Sequence, residues 1–230
     1  MSANVSILLF LIIVIDYVVS TTILDQQGRP VAITPLGSVE GEWRTSFDGR
    51  RYAAFEGIPY AKPPIGDLRF AEPQPIEPWI DTWNATRIYK CPQIDNGQVI
   101  GEEDCLYLNV YVPETKQSKL LDVVVHIHGG AYAAGYSVEY IGDKYVMDRD
   151  LILVAFNYRL AALGFLSLED VELPGSNGLR DQTLALKWVQ DNIGSFNGNP
   201  GSVTLTGFSA GAASVHLHYL SSYSRGLFHR

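Results

Sequence analysis

Val203-Thr-Leu-Thr-Gly-Phe-Ser-Ala-Gly-Ala-Ala213 is the stretch on which the reading of this chain turns. Residues 203–206 are apolar or β-branched and read as a strand. Residues 212–220 read as a helix, with Ala213, Leu217 and Leu220 on one face. Between them lies Gly207-Phe-Ser-Ala-Gly211, a G-x-S-x-G turn from strand to helix. A serine in such a strained turn projects its hydroxyl above the sheet, and glycines two residues to either side let strand and helix pass closely. The helix N-terminus behind it favours negative charge developing there. Ser209 is therefore a candidate nucleophile.

A second stretch supports it. Val123-Val-Val-His-Ile-His-Gly-Gly-Ala131 reads as a buried strand running into His128-Gly-Gly130. A tetrahedral intermediate needs N–H donors already in place, and glycines let the backbone come close to the oxyanion. Gly129 and Gly130, with the amide of Ala210 just after the serine, form a candidate oxyanion hole.

Further out, residues 106–112 alternate as a half-buried strand, while 123–127 and 151–156 are continuous apolar runs suited to strands buried on both faces. Ala185, Trp188, Val189 and Ile193 recur at helical spacing over 178–193, and Gly194 stops that helix. Residues 39–43 and 51–55 flank Asp48-Gly49 and predict an antiparallel hairpin, with Pro59, Pro63, Pro64, Pro73, Pro75 and Pro78 imposing an irregular segment after it. This alternation gives an α/β fold: a mostly parallel central sheet flanked by helices, with an amino-terminal antiparallel hairpin. Residues 21–230 read as one domain.

Residues 7–15, ILLFLIIVI, are too short to span a membrane and resemble the core of a signal peptide. Val18 and Ser20 suit cleavage after residue 20. The expected compartment is extracellular, consistent with the sequon Asn84-Ala-Thr86, a candidate glycosylation site, and with a single pair of cysteines, Cys91 and Cys105. From spacing alone those cysteines are either bonded or two free buried thiols. A net charge of −8 and a pI near 5.0 disfavour nucleic acid or an anionic membrane as partner. No cofactor or metal is expected, because the sequence has no P-loop, no G-x-G-x-x-G and no ligand cluster.

Taken together the motifs resemble the carboxylesterase and cholinesterase family (type-B carboxylesterases). The matching residues include Phe55-Glu-Gly-Ile-Pro-Tyr-Ala61, Leu68-Arg-Phe70, Glu103-Asp-Cys-Leu-Tyr-Leu-Asn109, His128-Gly-Gly130, Asn157-Tyr-Arg-Leu160, Gly175-Ser-Asn-Gly-Leu-Arg-Asp-Gln182 and Gly207 to Gly211. Within the family, residues 214–228 are most similar to insect esterases of the juvenile-hormone and venom type. The resemblance implies the α/β-hydrolase fold and a serine carboxylic-ester hydrolase acting through an acyl-enzyme on a small-molecule ester. It further implies Ser209 as nucleophile, Gly129, Gly130 and Ala210 as oxyanion donors, and a Cys91–Cys105 disulfide.

In that family the catalytic acid and histidine follow the elbow at a distance, so both are expected beyond residue 230, with the fold incomplete and turnover by this chain doubtful. Of the five histidines, His126 reads as a satisfied core residue, His128 adjoins the glycine turn, His216 and His218 lie down the helix, and His229 sits at a frayed end. Two departures stand out. Phe208 replaces an acidic residue common before the serine, and no tryptophan lies between Cys91 and Cys105 to hold a quaternary ammonium, which disfavours a choline ester. The competing readings are a non-catalytic cholinesterase-like binding module, or a lipase or peptidase on the same fold.

Overall fold

The computed structural model describes residues 22–24, 28–116, 118–170, 173 and 175–230. The apolar run 7–15 and the expected cleavage position lie outside them. In chain order the strands are β1 (Thr22–Leu24), β2 (Pro30–Thr34), β3 (Gly37–Glu40), β4 (Glu42–Thr45), β5 (Arg51–Pro59), β6 (Trp83–Asn84), β7 (Gln93–Asp95), β8 (Gln98–Ile100), β9 (Tyr107–Pro113), β10 (Leu121–Ile127), β11 (Leu151–Phe156) and β12 (Gly198–Gly207). The helices are α1 (Asp143–Val146), α2 (Ala161–Phe165), α3 (Asn177–Asn192) and α4 (Ala210–Leu220).

A six-stranded sheet in the order β12-β10-β11-β9-β5-β4 carries the site. β12, β10 and β11 are mutually parallel. β9 is antiparallel to both β11 and β5, and β4 is antiparallel to β5, so the antiparallel part is larger than the expected hairpin. The hairpin also starts later than residues 39–43 suggested. β3 ends at Glu40 and β4 starts at Glu42; Gly41 between them passes so close to β5 that a Cβ there would lie 2.4 Å from the carbonyl oxygen of Ala54, and β3 joins a small separate sheet with β1, β2 and β6.

One face of the sheet is closed by α3, where Val123, Val125, Ile127, Val203 and Phe156 pack with Ala185, Trp188 and Val189. Each of these large side chains gains about 1.5–3 kcal/mol from leaving water. β11 is buried nearly throughout, as its continuous apolar run implies. β10 is not: Asp122 is exposed, Val124 is half-buried against a second apolar cluster that includes Tyr52, Tyr111 and Leu153, and His126 is half-buried where it lines a cleft.

The proline segment is irregular apart from one 3-10 turn at Gly66–Leu68. It is pinned by Arg159, whose Nη1 donates to the carbonyls of Ala71 (2.8 Å) and Arg69 (3.1 Å). The rest of the guanidinium forks onto Asp181 through Nε (2.8 Å) and Nη2 (2.7 Å), and both side chains are buried. At the other edge, His229 is held and not frayed. Its Nδ1 accepts from the Val203 amide (3.2 Å), while the Arg230 carbonyl accepts from Leu205 (2.8 Å).

α4 exists as the sequence indicates, but it is turned the other way. Leu217 and Leu220 are exposed, and the buried positions are Ala210, Gly211, Ser214 and His218. The helix crosses so close to β10 that a Cβ on Gly211 would stand 2.0 Å from the carbonyl oxygen of Ile127, which leaves room only for small or hydrogen-bonded side chains on that face.

Candidate active site

Ser209 sits between the end of β12 and the start of α4 with φ 54° and ψ −119°, a backbone conformation that L-residues seldom adopt. The surrounding packing imposes it. A Cβ on Gly207 would meet the carbonyl carbon of Gly211 at 2.3 Å, so strand and helix approach where both residues lack side chains. Gly211 donates to the Phe208 carbonyl (2.9 Å) and Ala213 to the Ser209 carbonyl (3.1 Å), closing the turn with the serine exposed at its apex.

The glycine turn after β10 lies directly beside it. A Cβ on Gly129 would stand 3.1 Å from the Cβ of Ser209. Gly130 has φ 103°, and its carbonyl accepts from Ala133 (2.9 Å) and Ala134 (3.0 Å). Among the described residues nothing accepts from the amides of Gly129, Gly130 or Ala210. The same holds for Ala131, whose φ of 55° continues the turn and which the sequence reading passed over because alanine gives no sign of a left-handed backbone.

Ser209 and this turn share a cleft of about 400 Å³ with His126, His128, Phe208, Tyr136 and the β7–β8 hairpin. The hairpin lies within the loop closed by a disulfide between Cys91 and Cys105. Gln93 ties it to the glycine turn: its side chain donates to the carbonyls of Cys91 and Gly135 (3.0 Å each) and accepts from the Gly135 amide (2.8 Å). A Cβ on Gly135 would in turn press on the carbonyl oxygen of Gly129 at 2.6 Å, so Gln93 holds the far side of the turn that faces Ser209.

Among the described residues no histidine is bonded to Ser209. His128 is buried, stacks on Tyr158 at 4.3 Å between ring centres and donates from Nδ1 to the Gly129 carbonyl (2.8 Å). Burial drags its pKa down to about 4. His218 is also pulled down to about 4 by burial; it bonds Ser224 (2.7 Å) and Gln182 (2.9 Å) in a polar network under α4. His216 is exposed on that helix. His126 differs from expectation. Its Nδ1 meets the Thr206 hydroxyl at 3.2 Å, but its Nε2 is buried without a partner among the described residues and the ring lines the cleft.

The family model for the carboxylesterase family matches residues 28–230. The chain belongs to the carboxylesterase family. It is 52% identical over 206 residues to juvenile hormone esterase of Tribolium castaneum, covering 87% of this chain and 35% of that protein. Against esterase FE4 of Myzus persicae the identity is 50%, over 84% of this chain and 36% of the relative. The crystal structure of juvenile hormone esterase from Manduca sexta with OTFP covalently attached superposes with a TM-score of 0.81 at 43% identity, covering 87% of this chain and 39% of that one. The α/β-hydrolase fold and the likeness to insect esterases thus stand. The chain spans roughly a third of the length of these carboxylesterase relatives.

Two further residues complete the picture. Asn84 is exposed, and the Thr86 hydroxyl donates to its Oδ1 (2.7 Å). Among the described residues no helix is long and apolar enough to cross a membrane.

Proposed function

We propose that this carboxylesterase-family chain carries the nucleophile and oxyanion donors of a secreted serine carboxylic-ester hydrolase. The observation that carries this reading is the conformation of Ser209, a non-glycine residue held at φ 54° beside backbone amides that have no acceptor among the described residues. Strain of this kind costs about 1–3 kcal/mol and persists where it aims a reacting group.

Ser209 Oγ attacks the ester carbonyl carbon, and the carbonyl oxygen takes up the negative charge. The amides of Gly129, Gly130 and Ala210, with Ala131 as a further donor, stabilise it where it forms. Collapse breaks the bond to the alcohol oxygen, which leaves as the alcohol, and the acyl group stays on Ser209. Water then attacks this acyl-enzyme and releases the carboxylic acid. Proton transfer from Ser209 needs a base, and no described residue is given that role.

The substrate on this reading is a small-molecule carboxylic ester. Secretion and glycosylation at Asn84 belong to the same proposal; the exposed sequon and the apolar run 7–15 support them. A trifluoromethyl ketone tests the nucleophile without a leaving group. The secreted protein is expected to give a bound tetrahedral adduct in fluorine NMR that Ser209→Ala lacks. The same adduct in the variant would overturn the assignment.

A further inference from the structure

His126 and His128 are two imidazoles of the cleft that the proposed hydrolysis leaves unused, each with Nε2 buried and without a partner among the described residues; His126 is the half-buried one, while His128 is almost fully buried under Tyr158. His126 stands on β10, opposite Thr206 of β12 and three residues upstream of Gly129. The Thr206 hydroxyl has the carbonyl of Val125 within 3.4 Å, which assigns it as the acceptor from Nδ1 at 3.2 Å and places the imidazole proton on Nδ1. Nε2 is then a bare acceptor. It is buried, without a partner among the described residues, on a ring that lines the same cleft as Ser209. Burial also lowers the pKa of this imidazole, which keeps it neutral at physiological pH.

A buried acceptor left unsatisfied is costly, and of the unpaired side-chain atoms among the described residues only those of His126 and His128 belong to residues that line this cleft. The rest of the wall points the same way. Asp95 and Glu139 add acceptors. Two of the donors nearest the hairpin are engaged: the Gln93 amide donates to two carbonyls, and the Lys90 ammonium lies 4.0 Å over the Tyr136 ring. Among the described residues no group of three metal-ligating side chains forms, so Nε2 is not part of a metal cluster.

We propose that His126 is a specificity-determining residue: its Nε2 accepts a hydrogen bond from a hydroxyl or N–H group on the ester, and the cleft prefers esters that carry such a donor. This rests on the reading of the cleft around Ser209 as the ester site. A ligand without a donor leaves Nε2 unpaired, and that is the source of the discrimination.

The test uses the full chain as Ser209→Ala, so that turnover plays no part, with benzyl acetate and its para-hydroxymethyl counterpart as probes. The hydroxymethyl ester should bind about 3- to 10-fold more tightly. The imidazole nitrogen resonances of His126 should move with that ester only, and His126→Phe should make the two bind alike. Equal binding to the His126 protein, a preference that survives in His126→Phe, or no binding of either ester overturns the proposal. If His126→Phe fails to fold, the His126 resonances decide alone. Fluorophosphonate labelling of the unaltered chain reports separately on the Ser209 reading, so the two can fail independently.

Discussion

Gly129 is pressed against the elbow that holds Ser209: a Cβ at Gly129 would lie 2.6 Å from the carbonyl oxygen of Phe208 and 3.1 Å from the Cβ of Ser209. The nucleophile and the glycine turn are thus one packed unit, although 80 residues separate them in sequence. Adding a single methyl group tests that unit. Gly129→Ala should weaken the tetrahedral adduct of Ser209 with a trifluoromethyl ketone by about 10² to 10³, the loss typical of a displaced oxyanion donor. Ala131→Gly, at a position with φ 55°, should fold at least as stably as the parent.

The strained serine should cost stability. Replacing it with the residue that tolerates its backbone, Ser209→Gly, should stabilise the fold by about 1 kcal/mol. Urea unfolding of both proteins measures this. An unchanged or lower midpoint would mean that the conformation at Ser209 is unstrained.

Acid should weaken the fold through its buried imidazoles. His128 and His218 are held down to about 4, against 6.5 for a free side chain. Above pH 6.5 both are neutral in the folded and unfolded chain. Below it the unfolded chain takes up protons first, so stability falls as the pH drops from about 6.5 toward 4. Each histidine can contribute up to about 3 kcal/mol of that loss. His218→Gln should flatten the fall in a series of melting temperatures across this range.

Arg159 and Asp181 should matter through their burial. Arg159→Met leaves the Asp181 carboxylate without its partner and frees the carbonyls of Arg69 and Ala71. The expected loss is about 3–5 kcal/mol, read by chemical denaturation. The double variant Arg159→Met with Asp181→Leu should recover much of it.

How much of this was legible in the sequence depends on how local each feature is. The elbow and the glycine turn could be read because their chemistry fixes residue types at short spacing, and the strands 151–156 and 203–206 because their side chains agree with their burial. The orientation of α4 could not be read. Periodicity favours the Leu217 and Leu220 face, whereas contact between Gly211 and Ile127 decides which face is inward. His126 was misread for a similar reason: alternation along β10 shows that it points away from Ile127, but not that a cleft lies there. Gln93 gave no local signal, because its partner Gly135 is 42 residues away. At Gly41, between β3 and β4, the backbone passes close to Ala54, a contact that the sequence does not announce.

The most direct test of the central claim is to treat the folded chain with a fluorophosphonate, in which attack on phosphorus expels fluoride, and to map the adduct by mass spectrometry. The account predicts an adduct on the peptide containing Ser209, formed slowly because no described residue serves as base and lost in Ser209→Ala while circular dichroism is unchanged. An adduct on another residue, or labelling that survives in the variant, would contradict it.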